Sequence, residues 1–187
     1  DIPTAETGQV WFDSTNLDFK YLFPAKVASW RSEGNLNTTR YNAADNIGTE
    51  TAAIAASGQS PGYTANVENW DGSSWTEIAN VNTARSNAAG AGITTSALIA
   101  GGYAPGTAEE DATEIWNGSA WTEVADQNTA RYGAAMGAAN STSALYAGGN
   151  GVPTGSSAIT ESWNGSSWTE VADLNTNRGD FSGAGTA

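Results

Sequence analysis

The chain has 187 residues, and its low share of charged residues (14%), 22 glycines and eight tryptophans are typical of neither a disordered nor a helical protein. Its formal net charge of −13 opposes contact with phosphate backbones, so we expect no nucleic-acid partner. Because the chain has no cysteine and no histidine, the sequence excludes disulfides, thiol and imidazole catalysis, and Cys/His zinc sites.

The first 27 residues differ from the rest of the chain. The segment 8–23, GQVWFDSTNLDFKYLF, alternates aromatic and polar residues on either side of a Ser-Thr-Asn turn. This pattern predicts a short β-hairpin. We therefore interpret residues 1–27 as a separate hairpin or docking segment, joined to the remainder of the chain by Pro24-Ala25-Lys26.

Residues 28–187 repeat themselves. Three near copies end in arginine, ENWDGSSWTEIANVNTAR (68–85), EIWNGSAWTEVADQNTAR (114–131) and ESWNGSSWTEVADLNTNR (161–178), and a degenerate fourth is SWRSEGNLNTTR (29–40). The terminal residues Arg40, Arg85, Arg131 and Arg178 are 45, 46 and 47 residues apart. A period of this length indicates a repeat architecture, with copies near 28–80, 81–126 and 127–173 and a partial copy at 174–187.

Each repeat predicts four short strands. In the second copy these are SNAAGAGI (86–93), the ALIAGG run (97–102), TEIW (113–116) and WTEVA (121–125). The alternation has a period of two residues, and no segment has helical periodicity. Asn-Gly or Asp-Gly lies between the last two strands of every copy, which favours a hairpin because both residue types tolerate positive φ. We therefore expect an all-β fold.

The repeat resembles the kelch motif, in which paired glycines follow an apolar strand and precede spaced aromatic residues. The residues that carry this resemblance are Gly101, Gly102, Gly148, Gly149 and, where kelch repeats usually have tyrosine, Trp70, Trp116 and Trp163. The variant WNGSSWTEVADLNTNR, alternating with ALIAGG or ALYAGG, is similar to kelch-like repeats in virion and tail proteins of marine tailed bacteriophages.

This resemblance implies that each repeat is a four-stranded blade of a β-propeller. About three complete blades fit in the chain, near 41–80, 86–126 and 132–173, with a partial one after them. Closed propellers usually have about four to eight blades. We therefore expect the propeller to be incomplete, and to be completed by further chain or by other copies in a homo-oligomer.

The repeated arginines and tryptophans have both a structural and a binding interpretation. We expect the arginines to form repeated ion pairs, with Glu77, Glu123 or Glu170 as partners; the alternative is a ring that binds an anionic glycan. We expect the tryptophan pairs to pack between blades; the alternative is stacking on sugars at an exposed rim. These pairs are Trp70 with Trp75, Trp116 with Trp121, and Trp163 with Trp168.

The most variable parts of the repeat are the loops 59–67, 102–113 and 150–160, where binding residues of repeat proteins often gather. Our ligand or partner candidates there are Tyr63, Tyr103, Glu109, Glu110, Asp111 and Asn150. We expect no cofactor; Ca²⁺ bound by Glu109 and Asp111 is the weaker alternative, since the triplet lacks the alternating spacing of a dedicated loop.

These observations favour a non-enzymatic role. No carboxylate has a partner in a distinct environment, as acid–base catalysis needs, and a copper oxidase of the kelch type would need histidine. The phage resemblance implies a virion or extracellular protein, a tail fibre, spike or decoration for host attachment, whose partners are itself, other virion proteins and host polysaccharide. The alternative is a self-assembling microbial filament or surface-layer protein. With no apolar run of spanning length, we expect no membrane insertion.

Overall fold

The computed structural model describes residues 10–13, 18–21, 32–106, 109–151 and 155–185. All regular elements in these ranges are β-strands, which confirms the all-β prediction. No helix there is long and apolar enough to cross a membrane. The chain divides into two compact units, Asp1–Glu33 and Gly34–Ala187.

The described part of the first unit is a β-hairpin. Strand β1 (Val10–Asp13) pairs antiparallel with β2 (Asp18–Tyr21), with Val10 opposite Tyr21 and Asp13 opposite Asp18. This confirms the hairpin that the alternation in 8–23 predicted.

The second unit contains three antiparallel modules of four strands each. Module 1 consists of β3 (Ala44–Thr49), β4 (Ala52–Ala56), β5 (Val67–Trp70) and β6 (Trp75–Ile78). Module 2 consists of β7 (Ala89–Ile93), β8 (Ser96–Ala100), β9 (Thr113–Trp116) and β10 (Trp121–Glu123). Module 3 consists of β11 (Ala135–Asn140), β12 (Ser143–Ala147), β15 (Thr160–Trp163) and β16 (Trp168–Glu170), with the short pair β13 (Asn150–Gly151) and β14 (Gly155–Ser156) in one loop.

In each module the strands pair in chain order, so the loops alternate between two ends. The turn end carries the two-residue connections 50–51, 94–95 and 141–142 and the four-residue connections 71–74, 117–120 and 164–167. The loop end carries the longer connections 57–66, 101–112 and 148–159, together with the links that follow each fourth strand. A parallel bridge between Ile47 and Gly92 joins the first strands of modules 1 and 2 into a curled eight-stranded sheet.

The first strand of module 2 is shorter than predicted and begins at Ala89 rather than at residue 86. Asn87 interrupts it, because its φ of 52° is left-handed and incompatible with a strand. The strand β8 ends at Ala100 because Gly101 and Gly102, with φ of 66° and 110°, turn the chain.

The connections between the third and fourth strands have four residues each. In the first, the Asp71 carboxylate accepts hydrogen bonds from the backbone N–H groups of Ser73 and Ser74, both at 2.8 Å. Asn117 and Asn164 accept the equivalent bonds. In each of these turns only the glycine that follows the Asp or Asn has positive φ. The Asp or Asn is therefore selected because its side chain accepts the turn hydrogen bonds.

The core lies between the modules. One cluster joins Ile47, Ile54, Ala56 and Val67 of module 1 to Ala97, Ile99, Trp116 and Trp121 of module 2. A second joins Leu98 and Ala100 of module 2 to Met136, Tyr146, Trp163 and Trp168 of module 3. Since each fully buried large apolar side chain contributes about 1.5–3 kcal/mol, the modules stabilise one another, as neighbours do in repeat proteins.

Candidate functional site

A buried Arg–Glu pair recurs in the frame that supports the loop end. Arg40 pairs with Glu68, Arg85 with Glu114, and Arg131 with Glu161. All six side chains are at most 1% exposed. Burial at this level rules out the alternative that these three arginines form a glycan-binding ring.

The hydrogen bonds of Arg85 and Glu114 show which parts of the fold the pair connects. It lies in the link after module 1 and reaches into module 2, where Nη1 donates to the carbonyls of Gly101 at 3.3 Å and Ala112 at 2.8 Å. The Glu114 carboxylate accepts from Arg85 Nη2 and from the backbone N–H groups of Asn82 at 2.7 Å and Thr83 at 3.2 Å. The pair therefore ties the link between two modules to the second and third strands of the following one.

The expected carboxylate partners were wrong. Glu77, Glu123 and Glu170 are exposed, and each lies opposite the true partner on the outer fourth strand. The two carboxylates of each cross-strand pair share a face of the sheet, but only the third-strand one is covered by the neighbouring link. The prediction therefore placed the carboxylate partner on the correct face of the sheet but on the wrong strand.

The pKa of Glu68 illustrates the electrostatics of the pair. Burial alone would raise the pKa of this carboxyl. The backbone N–H groups of Asn37 and Thr38 and the Arg40 guanidinium oppose burial and hold the pKa below its ordinary value. Glu68 is therefore a carboxylate held as a structural anion.

The tryptophan pairs of modules 2 and 3 pack between modules, as predicted, whereas Trp70 and Trp75 of module 1 belong to neither core cluster. The rings of Trp116 and Trp121 lie 5.3 Å apart, and the equivalent pairs in modules 1 and 3 have similar geometry. Both rings are at most 6% exposed in modules 2 and 3, so they are not a sugar-stacking rim. The first tryptophan of each pair donates its indole N–H to a turn-end carbonyl, of Glu50, Thr94 or Ser141.

Whether the indole N–H of the second tryptophan finds an acceptor depends on the module before it. Trp168 donates its N–H to the Thr113 hydroxyl of module 2 at 2.9 Å. Trp121 faces module 1, where Val67 stands at the position equivalent to Thr113, and its buried N–H has no hydrogen-bond partner within the described residues. A single hydroxyl therefore distinguishes the two junctions.

Module 3 carries a tyrosine where module 2 has Ile99. The ring of Tyr146 is fully buried, lies under the Arg131 guanidinium at 4.8 Å, and its hydroxyl donates to the Arg131 carbonyl at 3.2 Å. Burial raises the pKa of Tyr146 to about 12. The hydroxyl also lies so close to Gly101 that a Cβ there would overlap it, which accounts for this glycine beyond its positive φ. Gly148 and Gly149 have the same left-handed backbone in module 3.

Two of the loop candidates meet at the loop end through a residue that the sequence did not single out. Tyr103 packs edge-to-face on Tyr132 at 5.6 Å, and Tyr132 forms a β-bridge with Asn150. All three are half-buried. Tyr63 lies in the corresponding loop of module 1 and forms a bridge with Gln59. The structure therefore brings Tyr103 and Asn150 together as a small polar–aromatic patch.

The acidic triplet of the module 2 loop has a backbone role. The Glu110 carbonyl accepts a hydrogen bond from the N–H of Arg131 at 3.2 Å, and the Asp111 carbonyl accepts one from the N–H of Gln127 at 2.9 Å. These bonds hold the next link against the loop. Glu109 is half-buried beside them. Among the described residues, no three acidic side chains come close enough to hold a metal ion, so nothing supports the Ca²⁺ alternative.

A cavity of about 520 Å³ lies between the starts of the first strands. Four equivalent residues, each two positions after a repeated arginine, line it: Asn42, Asn87, Gly133 and Asp180. All four are left-handed, with φ of 53°, 52°, 60° and 55°. They are linked by three backbone hydrogen bonds: the N–H groups of Asn87, Gly133 and Asp180 donate to the carbonyl of the preceding residue of this set at 2.9, 3.0 and 2.7 Å, respectively.

This backbone ladder places two amides and one carboxylate around the same space, beside the Phe181 ring. Amides both donate and accept, and a few convergent polar groups in a concave surface are typical of small-ligand and sugar sites. These residues were not among the candidates predicted from the sequence. Their fixed offset from Arg40, Arg85 and Arg178 was the signal that could have identified them.

The last repeated arginine differs from the others. Arg178 is exposed, and within the described part of the chain it has no carboxylate partner. Its guanidinium lies 5.8 Å from the Phe181 ring. Its backbone keeps the repeated pattern, because its carbonyl accepts a bond from Gly149 N–H as that of Arg131 does from Gly102.

No protein-family model matches the chain, and no curated protein matches it. Among solved structures, 143 chains match, so the fold recurs. The structure of YjhT is similar over 75% of this chain, with a TM-score of 0.58 and 12% sequence identity. This chain covers 54% of that one, so it spans about half its length. At this identity the likeness shows the fold alone.

Proposed function

We propose that the three modules are blades of a kelch-like β-propeller, and that the chain is a non-enzymatic structural or adhesion protein of a bacteriophage virion, either a tail fibre, a spike or a decoration. The blade assignment is supported by one four-stranded antiparallel module per repeat and by cores that lie between modules. The phage assignment is supported by the repeat sequence, WNGSSWTEVADLNTNR at 163–178. Its partners are copies of itself, neighbouring virion subunits and host polysaccharide, outside the cell.

The cavity at the loop end carries the proposal of polysaccharide contact. Asn42, Asn87 and Asp180 offer hydrogen-bonding groups to sugar hydroxyls, and the ladder between them fixes their positions. Tyr103 and Tyr132 extend this surface with aromatic edges. Because the frame holds these polar groups in fixed positions at one end, no conformational change is needed to bind a repeating polymer.

The charges favour a neutral polysaccharide over an anionic one. The chain has a net charge of −13, and the cavity contains the Asp180 carboxylate. The arginines that could have balanced an anion are buried against Glu68, Glu114 and Glu161. The same pairing supports a non-enzymatic role, because a carboxylate held by a guanidinium and backbone N–H groups is a poor proton donor.

A glycan array with the purified protein tests this proposal. The double variant Asn42→Gly with Asn87→Gly keeps the left-handed backbone, since glycine already stands at the equivalent position 133. If each amide contributes about 0.5–1 kcal/mol to binding, we expect the affinity to fall by about tenfold. Glu50→Gln, exposed at the turn end, is the matched control and should bind as the wild type does.

Absence of binding to every polysaccharide, together with tight self-association, would contradict adhesion and favour a scaffold.

A second function, a self-assembling extracellular filament or surface-layer protein, is favoured by one observation, the exposed Leu145 on a strand of module 3. The mass in solution distinguishes the two, because a fibre or spike gives a discrete assembly and a filament an open-ended one.

A further inference from the structure

The three buried arginines do not form the same hydrogen bonds. In module 2, Nη1 of Arg85 donates to the carbonyls of Gly101 at 3.3 Å and Ala112 at 2.8 Å. In module 1, Nη1 of Arg40 donates to the two equivalent carbonyls at 3.2 and 2.6 Å. In both modules, therefore, one guanidinium nitrogen lies between the residue that follows the second strand and the residue that precedes the third.

Module 3 has the same two carbonyls, but its arginine does not bind them. The Gly148 N–H donates to the Ile159 carbonyl at 2.9 Å, as the Gly101 N–H does to the Ala112 carbonyl at 3.1 Å. We therefore call the carbonyls of Gly148 and Ile159 the carbonyl pair. Within the described residues, Nη1 of Arg131, the atom equivalent to the one that binds in modules 1 and 2, is buried without a hydrogen-bond partner.

A tyrosine accounts for the different position of this arginine. Tyr146 lies opposite Glu161 in the sheet, as Ile99 lies opposite Glu114 in module 2. The Arg131 guanidinium lies over the Tyr146 ring, 4.8 Å from its centroid. The N–O contact between Arg131 and Glu161 is 3.1 Å, which is longer than in the two equivalent ion pairs. The aromatic ring thus holds the guanidinium away from the carbonyl pair.

A second polar residue accompanies the tyrosine. Gln127 stands four positions before Arg131, where Val81 stands four positions before Arg85. Gln127 is 4% exposed, and in the described part of the chain neither atom of its amide has a hydrogen-bond partner. Burial raises the pKa of the Tyr146 hydroxyl, and the Gln127 amide lies close enough to lower it in part, without the geometry of a hydrogen bond. The amide therefore belongs to the same cluster as Arg131 and Tyr146.

Five buried side-chain atoms of this cluster lack a partner among the described residues. They are Nε and Nη1 of Arg131, both amide atoms of Gln127, and Oε1 of Glu161. Buried polar groups are almost always paired, either within the protein or with ordered water. The carbonyls and Glu161 Oε1 need a donor, whereas the guanidinium needs an acceptor. Water supplies both, while an anion supplies no donor and a cation would be repelled by the guanidinium.

We propose that module 3 binds a buried water molecule at the carbonyl pair, in the place that Nη1 of Arg85 takes in module 2. The water donates to the carbonyls of Gly148 and Ile159 and accepts a hydrogen bond from Nη1 of Arg131. About three hydrogen bonds are typical of a buried water. The other unpartnered atoms of the cluster supply further donors and acceptors to the same water network.

This water belongs to the frame that supports the loop end. The Arg131 carbonyl accepts hydrogen bonds from the Gly102 N–H at 3.0 Å and the Tyr146 hydroxyl at 3.2 Å. The next residue, Tyr132, packs on Tyr103. By fixing the Arg131 side chain, the water stabilises the support of this aromatic contact. The inference is independent of the proposed function, because it uses neither the sugar contact nor the assignment of the modules as blades.

Crystal structures that show ordered water, of the wild type and two variants, test the proposal. In the wild type we expect a water at about 2.7–3.2 Å from both carbonyls of the pair and from Nη1 of Arg131. The double variant Gln127→Val with Tyr146→Ile has the residues of module 2, so it should lose the water, and Nη1 of Arg131 should donate directly to both carbonyls. Tyr146→Phe is the matched control: it keeps the ring under the guanidinium and should keep the water.

A measurement in solution decides the proposal if the double variant does not fold. Nuclear Overhauser effects between water and the guanidinium protons of Arg131 should occur in the wild type and in Tyr146→Phe. If Arg131 of the wild type donates directly to the carbonyl pair, or if no water lies there and no such effect occurs, the proposal is overturned. A folded double variant that retains the water would overturn the role of Gln127 and Tyr146 in creating the site.

Discussion

Replacing Glu114 by glutamine removes the carboxylate that pairs with the buried Arg85. Both side chains are 0% exposed, so the guanidinium would keep its charge with no counterion and no access to water. Breaking a buried pair in this way costs about 3–5 kcal/mol. That is a large part of the roughly 5–15 kcal/mol that stabilises a typical domain.

For a chain of this length, about 2–4 °C of melting temperature are lost per kcal/mol, so we expect Tm to fall by about 6–20 °C. Thermal and urea unfolding, followed by tryptophan fluorescence, measure the effect. Glu123→Gln is the matched control: Glu123 lies directly opposite Glu114 in the sheet but is exposed, and its loss should change stability by no more than about 0.5 kcal/mol. Equal stabilities of the two variants would refute the assignment of Glu114 as the buried partner.

Three further predictions concern single contacts. Gly101→Ala should destabilise the protein by at least about 2 kcal/mol in urea unfolding, because its Cβ overlaps the Tyr146 hydroxyl at a left-handed φ of 66°; wild-type stability would contradict this. Thr113→Val leaves the Trp168 N–H buried without its acceptor and should cost about 1–3 kcal/mol, with a change in near-ultraviolet circular dichroism; an unchanged spectrum and stability would oppose it. Turn hydrogen bonds lower the pKa of Asp71 from 3.8 to about 2. The contribution of the Asp71 carboxylate to the free energy of unfolding is therefore fully present above pH about 4 and is lost as the pH falls through about 2. Over this pH range the stability of the wild type should decline relative to that of Asp71→Asn. Parallel stability curves would count against it.

The repeat made most of the fold predictable. Two-residue alternation and the Asn-Gly signals indicated the third and fourth strands, and TEIW at 113–116 is one of them. The first strands were harder, because their runs of alanine and glycine carry little alternation. Asparagine tolerates a left-handed backbone, but its residue type alone does not show that Asn87 adopts one and delays the strand to Ala89.

The site was less predictable than the frame. Sequence spacing brought Arg85 near the glutamates of its repeat but could not distinguish Glu114 from Glu123, which lie opposite each other. Only the packing of the link decides which of them is buried. The cavity residues, such as Asn87, stand at a fixed offset from the repeated arginines, but that they line one cavity depends on the convergence of three modules, which is a tertiary feature.

We propose that polysaccharide binds at the loop end and not at the turn end. Hydrogen–deuterium exchange with and without a polysaccharide from the array measures which end is protected. We predict slower exchange on binding at 42–43, 87–90 and 132–134 and in the loop 101–106. The turns 71–74, 117–120 and 164–167 should be unchanged. Protection confined to the turn end, or no protection with a bound polysaccharide, would show that the loop end is not the binding surface.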